Sequence, residues 1–238
     1  MVDIQSLHNQ YKGRVFIVGN GPSLLGQQGL LARLQSERTH TCNGMYLWKD
    51  LPFLPTFYGI SSNKRHHMEA VNELESWRPV VKLMLKKNYP SFGLRDDWVW
   101  VPANFGLWMI DRGFHGFGDT LPVLPHGRAT PLTQCQVMAW MGFTEFCFLG
   151  VDETSYGHVY GTNGPLAERR KDGGLGEPLN GKEWLLNEQA TFDSYVRARQ
   201  DIEVAGSRIY DCTPNGRLNR EGILPYAELA DVLNTGGQ

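Results

Sequence analysis

Residues 14–24 read Arg14-Val-Phe-Ile-Val-Gly-Asn-Gly-Pro-Ser-Leu24, and this stretch decides the fold. The apolar run at 15–18 predicts a buried β-strand, and the leucines that follow at helical spacing predict a helix. Glycines in the intervening turn let the backbone approach a ligand closely. Pro22 suits the first turn of a helix, because its missing N–H costs little there. A strand, a tight turn and a helix N-terminus together are typical of a phosphate-binding site.

The polar residues of this turn are candidates for ligand contacts. Asn20 and Ser23 can hydrogen-bond a sugar or a phosphate, and Gly19 and Gly21 flank Asn20. The spacing matches neither G-x-G-x-x-G nor G-x-x-x-x-G-K-[ST], so the two common nucleotide fingerprints do not apply. The alternative is an ordinary strand–helix turn that binds nothing.

Composition bounds the class of protein. The 238 residues carry a net charge of −2 and are enough for one large domain, so we expect residues 1–238 to form a single nucleotide-binding domain. No long basic run is present, which argues against a nucleic-acid partner. No apolar run reaches transmembrane length and the first thirteen residues are polar, which predicts a cytoplasmic protein. The four scattered cysteines indicate reduced, mostly buried thiols rather than a zinc site.

Strand and helix patterns alternate along the chain, which predicts an α/β fold with a mostly parallel sheet and helices on both faces. Strands are predicted at residues 15–18, 39–43, 56–60, 80–85, 98–101, 145–149 and 208–210. Helices are predicted at residues 23–36, 63–77, 131–142, 181–205 and 225–233. Residues 102–127 indicate a loop-rich region, and the polar, Gly-rich residues 153–180 indicate a lid that follows the strand end at Gly150–Asp152.

Polar turns follow several of these strands. In open α/β sheets, ligands bind outside the carboxyl ends of the strands, so these turns are the places to look for a site. They contain Gly19–Ser23, Asn43, Ser61, Asp152 and the turn with Thr213 and Asn215. Although far apart in sequence, we expect them to meet at one edge of the sheet.

Three sequence blocks support a family resemblance. They are Ile17-Val-Gly-Asn-Gly-Pro-Ser-Leu24, Thr41-Cys-Asn-Gly-Met-Tyr46 and the segment from Ala129 to Asp152 that ends Phe-Leu-Gly-Val-Asp. In this order they resemble the bacterial CMP-sialic-acid-dependent sialyltransferases of the Campylobacter lipooligosaccharide type. The wider group includes Maf-type flagellin glycosyltransferases and the archaeal 6-hydroxymethylpterin pyrophosphokinase, which the block at 208–218 resembles more closely. The resemblance implies a Rossmann-like domain with a lid.

The resemblance also implies roles for individual residues. Asn20, Asn43 and Thr130 match the family positions that hold the donor cytidine and phosphate. Tyr160 matches the second of two lid tyrosines that stabilise the departing phosphate, and Tyr156 is a substitute for the first, whose place Thr154 takes. The family's general base is a lid histidine closer to the long helix, and this chain has no histidine after residue 158.

Candidate catalytic groups therefore come from the lid. His158 is proposed as the base, because an imidazole titrates near physiological pH; the alternative is a lid histidine that packs locally. Asp152 ends a strong apolar strand, where a carboxylate suits a ribose hydroxyl or, in the pyrophosphokinase alternative, Mg²⁺. The alternative for Asp152 is a turn or helix cap.

The leading functional hypothesis is a transferase that uses a CMP-activated sugar as donor, without an essential cofactor or metal, and a carbohydrate or small molecule as acceptor. One alternative is a Mg²⁺-dependent pyrophosphokinase acting on 6-hydroxymethylpterin or a similar alcohol. Another is a nucleotide- or sugar-binding relative without catalysis. Peripheral contact with a membrane and assembly into a homo-oligomer are both compatible with the sequence.

Overall fold

The computed structural model describes residues 4–60, 74–77, 80–85, 96–101, 103–104, 124–125, 129–153, 159 and 181–235. Seven parallel strands form the main sheet in the order β5-β4-β3-β2-β1-β8-β9. Their bounds are Arg14–Val18 (β1), Thr39–Cys42 (β2), Phe57–Ile60 (β3), Val81–Leu85 (β4), Trp98–Val101 (β5), Glu145–Leu149 (β8) and Arg208–Asp211 (β9). Two short parallel strands, Ala103–Asn104 (β6) and Leu124–Pro125 (β7), form a separate pair.

The strand order reverses at β1. From β1 the chain builds outward through β2, β3, β4 and β5, then returns to place β8 on the other side of β1. Arg14 is paired with Glu145 and Phe16 with Thr39, so β1 is hydrogen-bonded on both sides. The carboxyl ends of β1 and β8 consequently form a topological switch point, the place where ligands bind in such sheets.

Both faces of the sheet are buried. In β1, Val15 and Ile17 belong to one apolar cluster, whereas Phe16 and Val18 belong to a second one. This alternation follows from the two-residue period of a strand, and a fully apolar strand is typical of a sheet covered on both sides. The fold is therefore Rossmann-like α/β, as the sequence predicts.

Helices cover the two faces. The α-helices with both ends in the part of the chain that the structure describes include Gln28–Leu31 (α1), Thr130–Trp140 (α2), Gly181–Val204 (α3), Arg217–Arg220 (α4) and Leu229–Asn234 (α5). The α2 helix belongs to the Val15 face and is buried almost all round, from Leu132 to Met138. Gly142 follows it with a left-handed φ of +107°, the backbone conformation that a glycine after a helix C-terminus favours. Among the described residues, no helix has both the length and the apolar character needed to cross a bilayer.

The predicted helix at 23–36 is wrong in detail. The segment instead forms a 3-10 helix at Pro22–Gln27, the short α1 helix and a second 3-10 helix at Ala32–Ser36. Gly26 and Gly29 interrupt the leucine pattern, and glycine is a poor helix former because ordering its backbone costs the most entropy. Leu24, Leu31 and Leu34 are nevertheless fully buried, so the hydrophobic spacing identified the correct face.

Other boundaries differ by smaller amounts. The second strand ends at Cys42, and Asn43–Leu47 is a 3-10 helix rather than the end of a strand. The predicted helix at 225–233 is shifted to Leu229–Asn234, and α4 was not predicted. The predicted helix at 63–77 and the lid at 153–180 lie almost entirely outside the described residues. All four cysteines are buried free thiols.

His40 is a buried titratable group in β2. It is 1% exposed, stacks on Phe57 and, with Thr133 and Gln134 of α2, lines a cavity of about 20 Å³. Burial lowers the pKa of His40 to about 3, because the charged imidazolium loses its hydration. The imidazole is therefore neutral in the folded protein at neutral pH.

We expect stability to fall as pH decreases from about 6.5 towards 3. The unfolded chain binds a proton at His40 throughout this window, whereas the folded chain does not, so the loss reaches about 2 kcal/mol at pH 5 relative to pH 8. Urea denaturation of wild type and His40→Gln at both pH values measures this. The variant should be less pH-dependent by that amount, and parallel pH profiles of the two proteins would contradict the assignment.

Candidate nucleotide site at the switch point

A cavity of about 310 Å³ opens at the carboxyl ends of β1, β2 and β8. This volume is at the lower end of the range for small-molecule sites. Its described lining residues are Gly19, Asn20, Gly21, Pro22, Cys42, Asn43, Ala129, Thr130, Pro131, Gly150, Val151, Asp152, Glu153 and Thr191. The cavity thus brings together Gly19, Asn20, Gly21, Asn43, Thr130 and Asp152, all of which were predicted from sequence.

The floor of the cavity is a direct contact between two turns. The Gly21 N–H donates to the Gly150 carbonyl at 2.8 Å, and the Gly19 N–H donates to the Leu149 carbonyl at the same distance. A Cβ atom on Gly19 would lie 2.4 Å from the Gly150 oxygen. Gly150 itself has a left-handed φ of +63°. The glycines are therefore required by backbone packing, whether or not a ligand is bound.

Asp152 supports the Gly19–Ser23 turn. Its Oδ2 accepts a hydrogen bond from Ser23 Oγ at 2.8 Å and lies directly against Gly21. Burial raises the pKa of Asp152, and hydrogen bonds from the Ser23 side chain and backbone partly offset this effect. The carboxylate consequently caps the first turn of the Pro22–Gln27 helix, which is the structural alternative that the sequence left open. Ser23, a predicted ligand contact, donates a hydrogen bond from its hydroxyl to Asp152 and is not a described lining residue of the cavity.

Amide side chains and a helix N-terminus form another part of the wall. Asn43 has a left-handed backbone, with φ of +46°, and its Nδ2 donates to Thr130 Oγ1 at 3.2 Å. Thr130 begins α2, whose N-cap residue, Ala129, makes no side-chain capping hydrogen bond. The buried Oδ1 of Asn20 has no hydrogen-bond partner among the described residues. These groups can donate to and accept from a polar ligand.

Glu153 is a wall residue that the sequence analysis did not select. Its backbone is left-handed, with φ of +46°, and its Oε1 accepts a 2.6 Å hydrogen bond from the hydroxyl of Tyr195 in α3. Burial raises the pKa of Glu153, while the bond from Tyr195 and the charge of Arg217 lower it by less. Its position directly after Asp152 is the sequence signal that could have identified it.

Thr213 and Asn215 do not line the cavity. Thr213 is fully buried and its Oγ1 accepts the Val151 N–H at 3.2 Å, so it fixes the end of β8 from behind. Asn215 is exposed, with a left-handed φ of +55°. Asp211, fully buried, holds this turn together by accepting from the Thr213 N–H at 2.9 Å and from Asn219 Nδ2 at 2.8 Å. The turn is a support for the site rather than part of its surface.

The predicted lid residues His158, Tyr156 and Tyr160, and the predicted contact Ser61, lie outside the described residues. Val159 is described, is buried, and donates its N–H to the Asn20 carbonyl at 2.8 Å. Val159 therefore contacts the Gly19–Ser23 turn through this backbone hydrogen bond. The roles of the three lid side chains stay predictions.

A larger cavity, of about 520 Å³, lies at the opposite edge, where β1, β8 and β9 begin. Three of its charged lining residues are in ion pairs: Arg208 contacts Glu145 at 2.6 Å, and the buried Arg14 contacts Glu37 at 2.7 Å. The amino edge of a parallel sheet is not where such folds bind ligands. The smaller cavity at the carboxyl edge is therefore the candidate site.

Comparisons with known proteins give little beyond this geometry. No family model matches the chain, and no curated protein matches it. Among solved structures, it is similar to the sialyltransferase CstII from Campylobacter jejuni in complex with a substrate analogue, cytidine-5'-monophosphate. The identity is 16%, the match covers 91% of this chain and 86% of that one, and the TM-score is 0.48. A similarity at this level carries no information on ligand or activity, so the site is interpreted from its own residues.

We expect Gly21→Ala to damage both the fold and the site. The added Cβ would lie 1.5 Å from Asp152 Oδ2 and 2.6 Å from the Gly150 oxygen. The free energy of unfolding should fall by about 1–3 kcal/mol, as in an overpacked core. Gly29→Ala is the matched control, since its Cβ would meet nothing within 4 Å and alanine favours helix. Equal stability changes in urea denaturation of the two variants would contradict the packing assignment.

Proposed function

We propose that the chain is a transferase that binds a nucleotide-activated donor, a CMP-activated nonulosonic acid, in the cavity at the β1–β8 switch point. The observation that carries the proposal is the convergence of Asn20, Asn43 and Thr130 on one cavity. These three residues are the ones that the family resemblance selects for the cytidine and phosphate. Their meeting is independent of that resemblance, because it results from the strand order.

The polar atoms of the cavity suit a nucleotide. The Asn20 Oδ1, buried and without a described partner, would accept a hydrogen bond from an amino or hydroxyl group of the ligand. Leaving such an atom unsatisfied costs about 1–3 kcal/mol, so a bound donor group would recover stability. A cytosine amino group or a ribose hydroxyl provides this donor.

Among the described lining residues, the electrostatics favour a phosphate at the start of α2. The N-terminus of α2, at Thr130, presents the positive end of the helix dipole, which favours an anion. Asp152 and Glu153 lie in another part of the wall and would repel an anion. A donor phosphate is therefore expected next to Thr130.

The nucleotide specificity is measured by thermal shift with CMP, CDP, UDP, GDP, ADP and ATP, each with and without Mg²⁺. At about 100 times its dissociation constant, a bound nucleotide adds about 2.7 kcal/mol to stability, which raises Tm by several degrees. The proposal expects stabilisation by CMP that does not depend on Mg²⁺. Stabilisation by ATP only with Mg²⁺ would contradict it and favour the pyrophosphokinase alternative.

We expect Asn20→Ala to weaken CMP binding about 2- to 10-fold, the effect of losing one hydrogen bond. Asn215→Gly is the matched control, because Asn215 is exposed, does not line the cavity and has a left-handed backbone that glycine adopts freely. Isothermal titration calorimetry with CMP compares the two variants with wild type. Equal weakening of binding in both variants, or in neither, would remove Asn20 from the site.

A further inference from the structure

We propose that Glu153 is the catalytic residue that takes the proton from the acceptor hydroxyl, an inference that rests on the transferase function proposed above. Neither the family resemblance nor the sequence motifs select this residue. The inference begins from its backbone, which lies in the left-handed region at φ +46° although the residue is not glycine. A residue of this type costs about 1–2 kcal/mol in that conformation, and such strain concentrates at functional sites.

The backbone turn has a geometric consequence. In a strand, neighbouring side chains point to opposite faces, yet Asp152 and Glu153 both line the same cavity. Glu153 lies four residues after the end of β8, and its left-handed backbone departs from the extended conformation that would point it away from Asp152. Glu153 thereby reaches a cavity that a continued extended chain would turn it away from.

The carboxyl groups of Asp152 and Glu153 differ in the contacts that they already make. Asp152 accepts a hydrogen bond from Ser23 and lies against Gly21, so its carboxylate stabilises the Gly19–Ser23 turn. Glu153 is bound at Oε1 by the fully buried Tyr195, and no described residue hydrogen-bonds its Oε2. A base that is oriented through one atom and open at the other is the arrangement that proton transfer requires.

The proposed step balances in atoms and electrons. The acceptor oxygen forms a bond to the anomeric carbon of the donor sugar, and the bond from that carbon to the phosphate oxygen breaks. CMP leaves with that electron pair, and the proton of the acceptor hydroxyl passes to Oε2 of Glu153. With water as acceptor, the same step hydrolyses the donor.

The test uses the full chain with CMP-N-acetylneuraminic acid as donor and water as acceptor, following release of CMP. We expect Glu153→Gln to lower kcat about 100-fold or more, the typical contribution of a general base, and to leave the affinity for CMP unchanged. Glu145→Gln is the matched control, because Glu145 lies at the opposite end of β8, where it forms an ion pair with Arg208 at 2.6 Å. Its turnover should equal that of wild type.

A second variant separates chemistry from structure. Formate added to Glu153→Ala can occupy the space of the lost carboxylate, so it should restore part of the turnover, whereas a purely structural defect would not respond to formate. Equal turnover in Glu153→Gln and wild type overturns the inference, as does a loss of turnover found only in His158→Gln. A wild-type protein that binds CMP without hydrolysing the donor overturns the inference alone. One that neither binds CMP nor turns the donor over overturns the proposed function as well.

Discussion

The contact between the turn after β1 and the turn after β8 is the constraint on which the site depends. Gly21 and Gly150 are hydrogen-bonded backbone to backbone at 2.8 Å, with no space for a Cβ between them. This contact brings Asp152 under the Gly19–Ser23 turn and sets the place where the cavity opens. The remaining wall residues reach the cavity because parallel strands present their carboxyl ends at one edge.

Burial acts on the three acidic groups near this edge in the same direction. It raises the pKa values of Asp152, Glu153 and Asp211, although each accepts at least one hydrogen bond. A raised pKa in the folded state means that ionisation of the group opposes folding. The contribution of these groups to the stability of the folded protein is therefore present at acidic pH, and it decreases as pH rises through their folded pKa values. The site is thus maintained at some expense of stability, as is usual for functional sites.

The sequence was sufficient for the fold class and for the meeting of several predicted polar residues at one cavity. The apolar run at 15–18 and the helical pattern in 131–142 predict β1 and α2 because burial dominates in both elements. The division of residues 23–36 into short helices was not predicted. The leucines of this segment have helical spacing, whereas its glycines favour tight turns. Thr213 was misplaced in the cavity, since a polar residue after a strand can face either the ligand or the neighbouring turn. Glu153 was missed because its position depends on a single backbone angle that propensity does not encode.

The pairing of β1 also has a consequence for how the chain folds. Residue 14 pairs with residue 145. The second edge of the central strand β1 therefore stays unpaired until β8, far downstream in the sequence, forms its hydrogen bonds. Non-local parallel pairing of this kind slows folding and leaves an apolar strand edge unprotected for longer. During synthesis, the emerging chain would expose that edge, and helper chaperones or low temperature should then raise the yield of folded protein.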